Sequence, residues 1–178
     1  MDDLQAAVSQ VLRGDTAAFR RIVDATSRQL VRLSARILGN PEEAEDVVQE
    51  AYVRAFRSLT EGTFEQRSSV RTWLYRIVTN AAIDARRSRA RLAARTASDT
   101  AAKPMLSGHA SVEARLALAE LTAWLDELPE DQRLAILLTA VEGLRAHEAA
   151  EILGCSAGAV EQRVLRARTT LRNMREAS

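Results

Sequence analysis

The sequence predicts an all-α protein: two small helical domains joined by a flexible linker, the second ending in a helix-turn-helix. Three observations carry this expectation. The 178 residues include only 7 Gly and 3 Pro, while Ala, Leu, Arg and Glu abound, a composition that favours helix almost everywhere. Apolar residues recur at i, i+3, i+4 spacing, most clearly between Ala44 and Leu59. From about Arg95 to Ser111 the chain turns to Ala, Ser, Thr, Gly, Lys and Pro, the composition of a solvated linker. The predicted domains are therefore 1–95 and 112–178, with residues 96–111 as the linker.

The elements follow from local punctuation. Gly14 and Asp15 read as a helix stop and an N-cap. Gly39-Asn40-Pro41 reads as a C′ glycine, an N-cap and an N1 proline, followed by an acidic first turn at Glu42 and Glu43. Helices are expected near 4–13, 16–38 and 41–59. In the third, Ala44, Val47, Val48, Ala51, Tyr52, Ala55, Phe56 and Leu59 share one face, which is core. The stretch TEGTFEQRSS breaks the periodicity. A fourth helix begins near Ser69 and runs past Arg87, with Trp73, Leu74, Ile77, Val78 and Ala81 on its buried side.

Beyond the linker, a helix over 112–128 is stopped by Pro129, and one over 130–142 by Gly143. A short helix over 146–153, the turn Gly154-Cys155-Ser156 and a helix from Ala157 to about Met174 form a helix-turn-helix unit.

The N-terminal stretch is acidic and lacks the pattern of a signal peptide, and no apolar run approaches the roughly 18 residues that span a bilayer. A cytoplasmic protein without membrane insertion is expected. Cys155 is the single cysteine, and no Cys/His cluster has zinc spacing, so neither an intrachain disulfide nor a metal is expected. His109 and His147 have no ligand partners at useful spacing and read as surface residues. There is no Gly-rich phosphate loop, Ser/His/Asp set or paired carboxylate cleft, so neither enzyme activity nor a cofactor is expected. Net charge is +1, but residues 1–95 carry 16 basic against 12 acidic side chains, and residues 96–178 carry 9 against 12.

Three faces stand out. In the last helix Val160, Val164, Ala167 and Leu171 fall on one side, leaving Glu161, Gln162, Leu165, Arg166 and Thr169 outward. Gln pairs with adenine, Arg with guanine, Glu with cytosine N4, and Leu meets a thymine methyl in the major groove. Arg163, Arg168 and Arg172 flank this set at positions suited to phosphates. Taken alone, the pattern fits a solvated charged face as well as a DNA-reading one.

On the third helix, Asp46, Gln49, Glu50, Val53 and Arg57 form an acidic strip with an apolar centre, which suits a protein partner with a basic surface. Between Arg71 and Arg95, seven arginines face one acid, Asp84, an electrostatic footprint for a phosphate backbone. Trp73 reads as core, while Tyr75 is open between core and a stacking platform for bases.

PEEAEDVVQEAYVRAFRSL, SVRTWLYRIVTNAAIDARRSR and LPEDQRLAILLTAVEGL, followed by AAEILGCSAGAV and RVLRARTTLR, stand in the order found in one family. The chain resembles a bacterial RNA polymerase sigma factor of the extracytoplasmic-function group. The resemblance implies a first domain that binds core RNA polymerase and melts and reads the minus-ten promoter element. It implies a second domain that reads the minus-thirty-five element.

Asp46, Gln49 and Glu50 match the polymerase-binding positions, with Val53 on the same strip. Arg76 and Asn80 with neighbouring Arg86 and Arg87 match the strand-separating helix. The loop Phe64 to Ser69, including Arg67 and Ser68, matches the segment that captures a flipped base. Glu161, Gln162, Leu165 and Arg166 match the outward positions of the recognition helix. The group is typically held inactive by an anti-sigma factor.

Two departures are visible. Glu161-Gln162 stands where a basic and a small hydroxyl residue are common, and Arg145-Ala146-His147 where a serine cap, an aromatic and an acid are common. Cys155 falls in the turn, where a small, partly buried residue is expected. Two rival readings are a free-standing helix-turn-helix regulator that binds duplex DNA as a dimer, and a helical adaptor that binds protein only.

Overall fold

The computed structural model describes residues 3–66, 68–96 and 123–177; Arg67, His109, most of the expected linker and the first part of the helix expected over 112–128 lie outside them. The chain divides into two compact units, Met1–Ala101 and Ala102–Ser178. Every regular element among the described residues is helical.

The first unit contains α1 (Asp3–Leu12), a 3-10 turn (Thr16–Ala18), α2 (Phe19–Leu38), α3 (Pro41–Thr60) and α4 (Val70–Thr96). α2 ends at Gly39, whose φ of 65° is left-handed and whose N–H returns to Ala35 O at 2.9 Å. Asn40 then caps α3: its Oδ1 accepts from Glu42 N at 3.0 Å, and its amide donates to Glu43 Oε1 at 3.0 Å. Pro41 occupies the first turn, where no N–H is needed. α4 is capped by Ser69, whose Oγ accepts from Thr72 N at 3.0 Å.

The expected Asp15 cap is not made. Its side chain forms no cap bond, and the chain turns instead through backbone bonds, with Gly14 at φ 100°.

α2 packs against both α3 and α4, these two against each other, and α1 against α2. Ile22, Leu30, Leu33 and Ile37 of α2, Val48 of α3, and Leu74 and Val78 of α4 are buried at their centre. Each such side chain contributes about 1.5–3 kcal/mol. Phe19 caps this core edge-on, 5.1 Å from the Phe56 ring and 6.2 Å from the Tyr52 ring. Arg21 ties α1 to α2 through Asp3 Oδ1 at 2.6 Å and Gln10 Oε1 at 2.8 Å.

The second unit contains α5, described over 123–127, then α6 (Glu130–Ile136), a π-helical turn (Leu137–Val141), α7 (Ala146–Leu153) and α8 (Ala157–Ala177). The single helix expected over 130–142 is thus α6 with a wide turn. The turn closes with Glu142 N on Leu137 O at 3.0 Å, a bond across five residues. Within it Leu137 and Leu138 are both buried, while Val141 turns to solvent.

α7 starts at Arg145, where Glu148 supplies the cap: its Oε2 accepts from Arg145 N at 2.8 Å. The arginine side chain has no acceptor to offer, so only this half of a capping box is made, and the donors a serine would satisfy are left to other partners. Gly154, at φ 63°, ends α7 in the left-handed conformation that the turn into α8 requires. Leu128, Ile136 and Ala167 are buried together, with Leu125 and Leu171 packed against them.

Candidate nucleic-acid interface

The outer face of α3 exposes Asp46, Gln49, Glu50, Val53 and Arg57, opposite buried Ala44, Val48, Ala51 and Ala55. Val53 is 50% exposed, with Gln49 and Glu50 on one side and Arg57 on the other, an apolar centre in a polar rim. Glu50 Oε1 accepts from Arg54 Nη2 at 2.6 Å, an i, i+4 pair that holds this carboxylate along the helix.

The loop before α4 lays Phe64 half-buried on Trp73, ring centroids 4.5 Å apart. Ser68 is half-buried, Arg67 lies outside the described residues, and Gln66 turns the loop at φ 44°. On α4, Arg76, Asn80 and Arg87 are exposed and Ile83 is half-buried. Trp73 is core, as expected. The open question at Tyr75 closes the same way: the ring is 2% exposed and carries the Arg71 guanidinium 5.3 Å from its centroid. A base has no access to it.

The arginines of α4 divide into two sets that the sequence pattern does not separate. Arg86, half-buried, donates from Nη1 to Ile37 O at 2.8 Å. Arg89 donates to Leu38 O and reaches Glu43 Oε2 at 3.2 Å. Both supply donors to the carbonyls left over at the C-terminus of α2, and Arg89 adds a link to the first turn of α3. A signal for this was present: the buried stripe Leu74, Val78, Ala82 continues at helical spacing into 86 and 89. Arg91 and Arg95 are exposed on the far half of the helix.

On α8, Val160 and Ala167 are buried and Val164 and Leu171 half-buried, while Glu161, Gln162, Arg166, Arg168, Thr169 and Arg172 are exposed. Leu165 is 66% exposed in the middle of this outward face. Arg163 differs from its neighbours: it is half-buried, with Nε 3.1 Å from Asp131 Oδ2 and Nη1 donating to Cys155 Sγ at 3.2 Å. His147 is exposed. No helix among the described residues is long and apolar enough to cross a membrane.

α3 thus presents an acidic strip with an apolar residue in it, and two helices present amide, guanidinium and apolar groups outward. These are the groups that read base edges and hold phosphates.

Comparison with known proteins places these surfaces in one family. The Sigma-70 region 2 pattern matches residues 22–92, which span α2 to most of α4, and the Sigma-70 region 4 pattern matches residues 113–171. The RNA polymerase sigma-H factor of Pseudomonas aeruginosa is 33% identical, over 94% of this chain and 91% of its own length. The ECF RNA polymerase sigma factor SigW of Bacillus subtilis is 33% identical, over 95% of each.

Among solved structures, CnrH in complex with the cytosolic domain of CnrY aligns over 99% of both chains, at TM-score 0.75 and 31% identity. The sigma factor RpoE in complex with the anti-sigma factor NepR from Bartonella quintana aligns over 89% of this chain and 96% of its own, at TM-score 0.74 and 26% identity. With both regions matched in order and relatives covered nearly end to end, the chain belongs to the extracytoplasmic-function (ECF) RNA polymerase sigma factors.

Proposed function

We propose that this sigma factor joins core RNA polymerase through Asp46, Gln49, Glu50 and Val53 on the outer face of α3. It opens and reads minus-ten DNA with Phe64, Arg67, Ser68, Arg76, Asn80 and Arg87, while Arg86, expected in the same set, is taken up by Ile37 O at the end of α2. It reads the minus-thirty-five duplex with Glu161, Gln162, Leu165 and Arg166, with exposed Arg168 beside them; Arg163, expected with them, is turned to Asp131 and Cys155 instead. In this reading residues 1–95 and 112–178 carry the two promoter tasks and residues 96–111 connect them. The protein works in the cytoplasm as a specificity subunit with no catalytic residues of its own. Its partners are core polymerase, promoter DNA and an anti-sigma factor, the kind of partner that NepR is to RpoE in their complex.

The observation that carries the reading is the outward face of α8. What supports DNA reading over a merely solvated face is context: Leu165, 66% exposed, stands with Glu161, Gln162 and Arg166 on the last helix of the stretch matched by the Sigma-70 region 4 pattern, and a major groove offers a thymine methyl to the one and base edges to the others.

The test is run-off transcription from genomic fragments with core RNA polymerase, with and without the protein, sequencing the transcript starts. Discrete starts that appear only with the protein and share two spaced elements are expected. A folded protein that yields no discrete starts with an active core would overturn the reading in favour of the free-standing regulator.

A further inference from the structure

We propose that Arg163 is a positioning residue for upstream promoter recognition: it fixes how α8 is presented to the duplex and is not itself a phosphate ligand. The inference rests on the reading of α8 as the recognition helix. One guanidinium joins three elements. Its stem leaves α8, its Nε lies 3.1 Å from Asp131 Oδ2 in the first turn of α6, and its Nη1 donates to Cys155 Sγ at 3.2 Å in the turn before α8. The arginine side chain is 28% exposed, so most of it is packed away from the outward face where a phosphate would lie.

The contacts lead to the same conclusion. A guanidinium that already faces a carboxylate and a sulfur has fewer donors left for a second anion, and reaching a phosphate would mean giving up both contacts. The pair is also a poor stability device, since Asp131 is 51% exposed and ion pairs at such sites contribute little.

Its use lies in direction. Val160 and Ala167 of α8 are buried, with Val164 and Leu171 half-buried beside them, and apolar contacts of this kind are non-directional, so they fix the helix less sharply than hydrogen bonds do. A planar fork with two fixed partners is directional. Gln162 and Arg166 stand immediately beside it on the outward face, and their hydrogen bonds to base edges weaken steeply with misalignment.

The experiment uses the full-length chain with core RNA polymerase on a promoter library randomised over the upstream element, with transcripts sequenced. Asp131→Asn, Arg163→Ala and the double variant are compared with the unaltered chain, along with melting curves and the salt dependence of promoter binding. Positioning predicts that each single change lowers discrimination at the same upstream base pairs by about three- to tenfold, that the double variant is no worse than either, and that the salt slope holds.

A phosphate role predicts the opposite pairing: Arg163→Ala weakens all sequences alike and lowers the salt slope by about one, while Asp131→Asn is neutral or tightens binding. That result would overturn the proposal. So would variants that melt earlier but keep the upstream profile, which would make the contact structural only. Asp131→Asn keeps the side-chain shape, so the test survives if Arg163→Ala fails to fold. An unaltered chain indifferent to the upstream element would remove the recognition-helix reading itself, a different outcome from a selective chain whose variants match it.

Discussion

The Tyr52 hydroxyl donates a hydrogen bond to Thr26 Oγ1 across 2.6 Å in the buried seam between α3 and α2. The direction follows from counting protons: the single hydroxyl proton of Thr26 goes to Ile22 O at 2.7 Å, which leaves its oxygen only as an acceptor.

Burial raises the Tyr52 phenol above its ordinary value of 10.0. The unfolded chain therefore releases this proton at lower pH than the folded one. Stability from the neutral phenol is complete below about pH 10 and is lost as pH rises through the folded value. Tyr52→Phe should cost about 1 kcal/mol at neutral pH and flatten the fall in stability above pH 10, measured by denaturant titration. An unchanged alkaline slope would place that titration on another group.

Ser34 on α2 and Thr79 on α4 present the opposite case. Both are wholly buried, and neither hydroxyl has a hydrogen-bond partner among the described residues. A buried polar group without a partner costs free energy that an apolar replacement recovers. Ser34→Ala and Thr79→Val should leave stability unchanged or raise it by up to about 1 kcal/mol, whereas a comparable loss would reveal a partner for the hydroxyl.

What could be read from the sequence divides by distance along the chain. The α3 core face and the Gly39-Asn40-Pro41 junction were legible because caps and helical stripes are made by residues a few positions apart. The bonds of Arg86 to Ile37 and of Arg89 to Leu38 cross 49 and 51 residues, and only folding brings those ends together. The π turn escaped for a different reason: Leu137 and Leu138 fit an α-helical stripe as well as a wide turn, just as Ile37 and Leu38 are both buried in regular α2. For the candidate site, periodicity pointed outward at Glu161, Gln162 and Leu165, and at Asp46 and Val53. It could not name what they meet, which entered only through the resemblance.

The division of the α4 arginines is measurable as salt dependence. Arg89 serves the end of α2, so Arg89→Ala should destabilise the first unit by about 1–3 kcal/mol and leave the salt slope of promoter binding unchanged. Arg87 is exposed beside the reading face, and Arg87→Ala should lower the slope by about one without a comparable loss of stability. Equal effects of the two changes on the slope would show that both arginines meet phosphate.

The acidic strip makes a prediction of sign. Asp46 is exposed on the outer face of α3, and Asp46→Arg would set like charges opposite one another at the proposed polymerase contact. Affinity for core polymerase in a direct titration should fall at least tenfold, and Asp46→Asn should fall less, because it removes an attraction without adding a repulsion. Unchanged affinity in both would take α3 out of the contact.

The last prediction concerns what α8 reads. Gln162 stands exposed next to the anchored Arg163, so its amide can form paired bonds with one base edge, for which adenine is the natural partner. Gln162→Ala should cost about 1–3 kcal/mol for the favoured base at one or two upstream positions and change the others little. Sequencing transcripts from a promoter library randomised over the upstream element measures this directly. Because Arg163 acts on the whole helix, its loss should broaden several positions at once, whereas Gln162→Ala should leave a local gap. A uniform drop across all promoters would mean that Gln162 meets the backbone, and that the bases are read by Glu161, Leu165 and Arg166 alone.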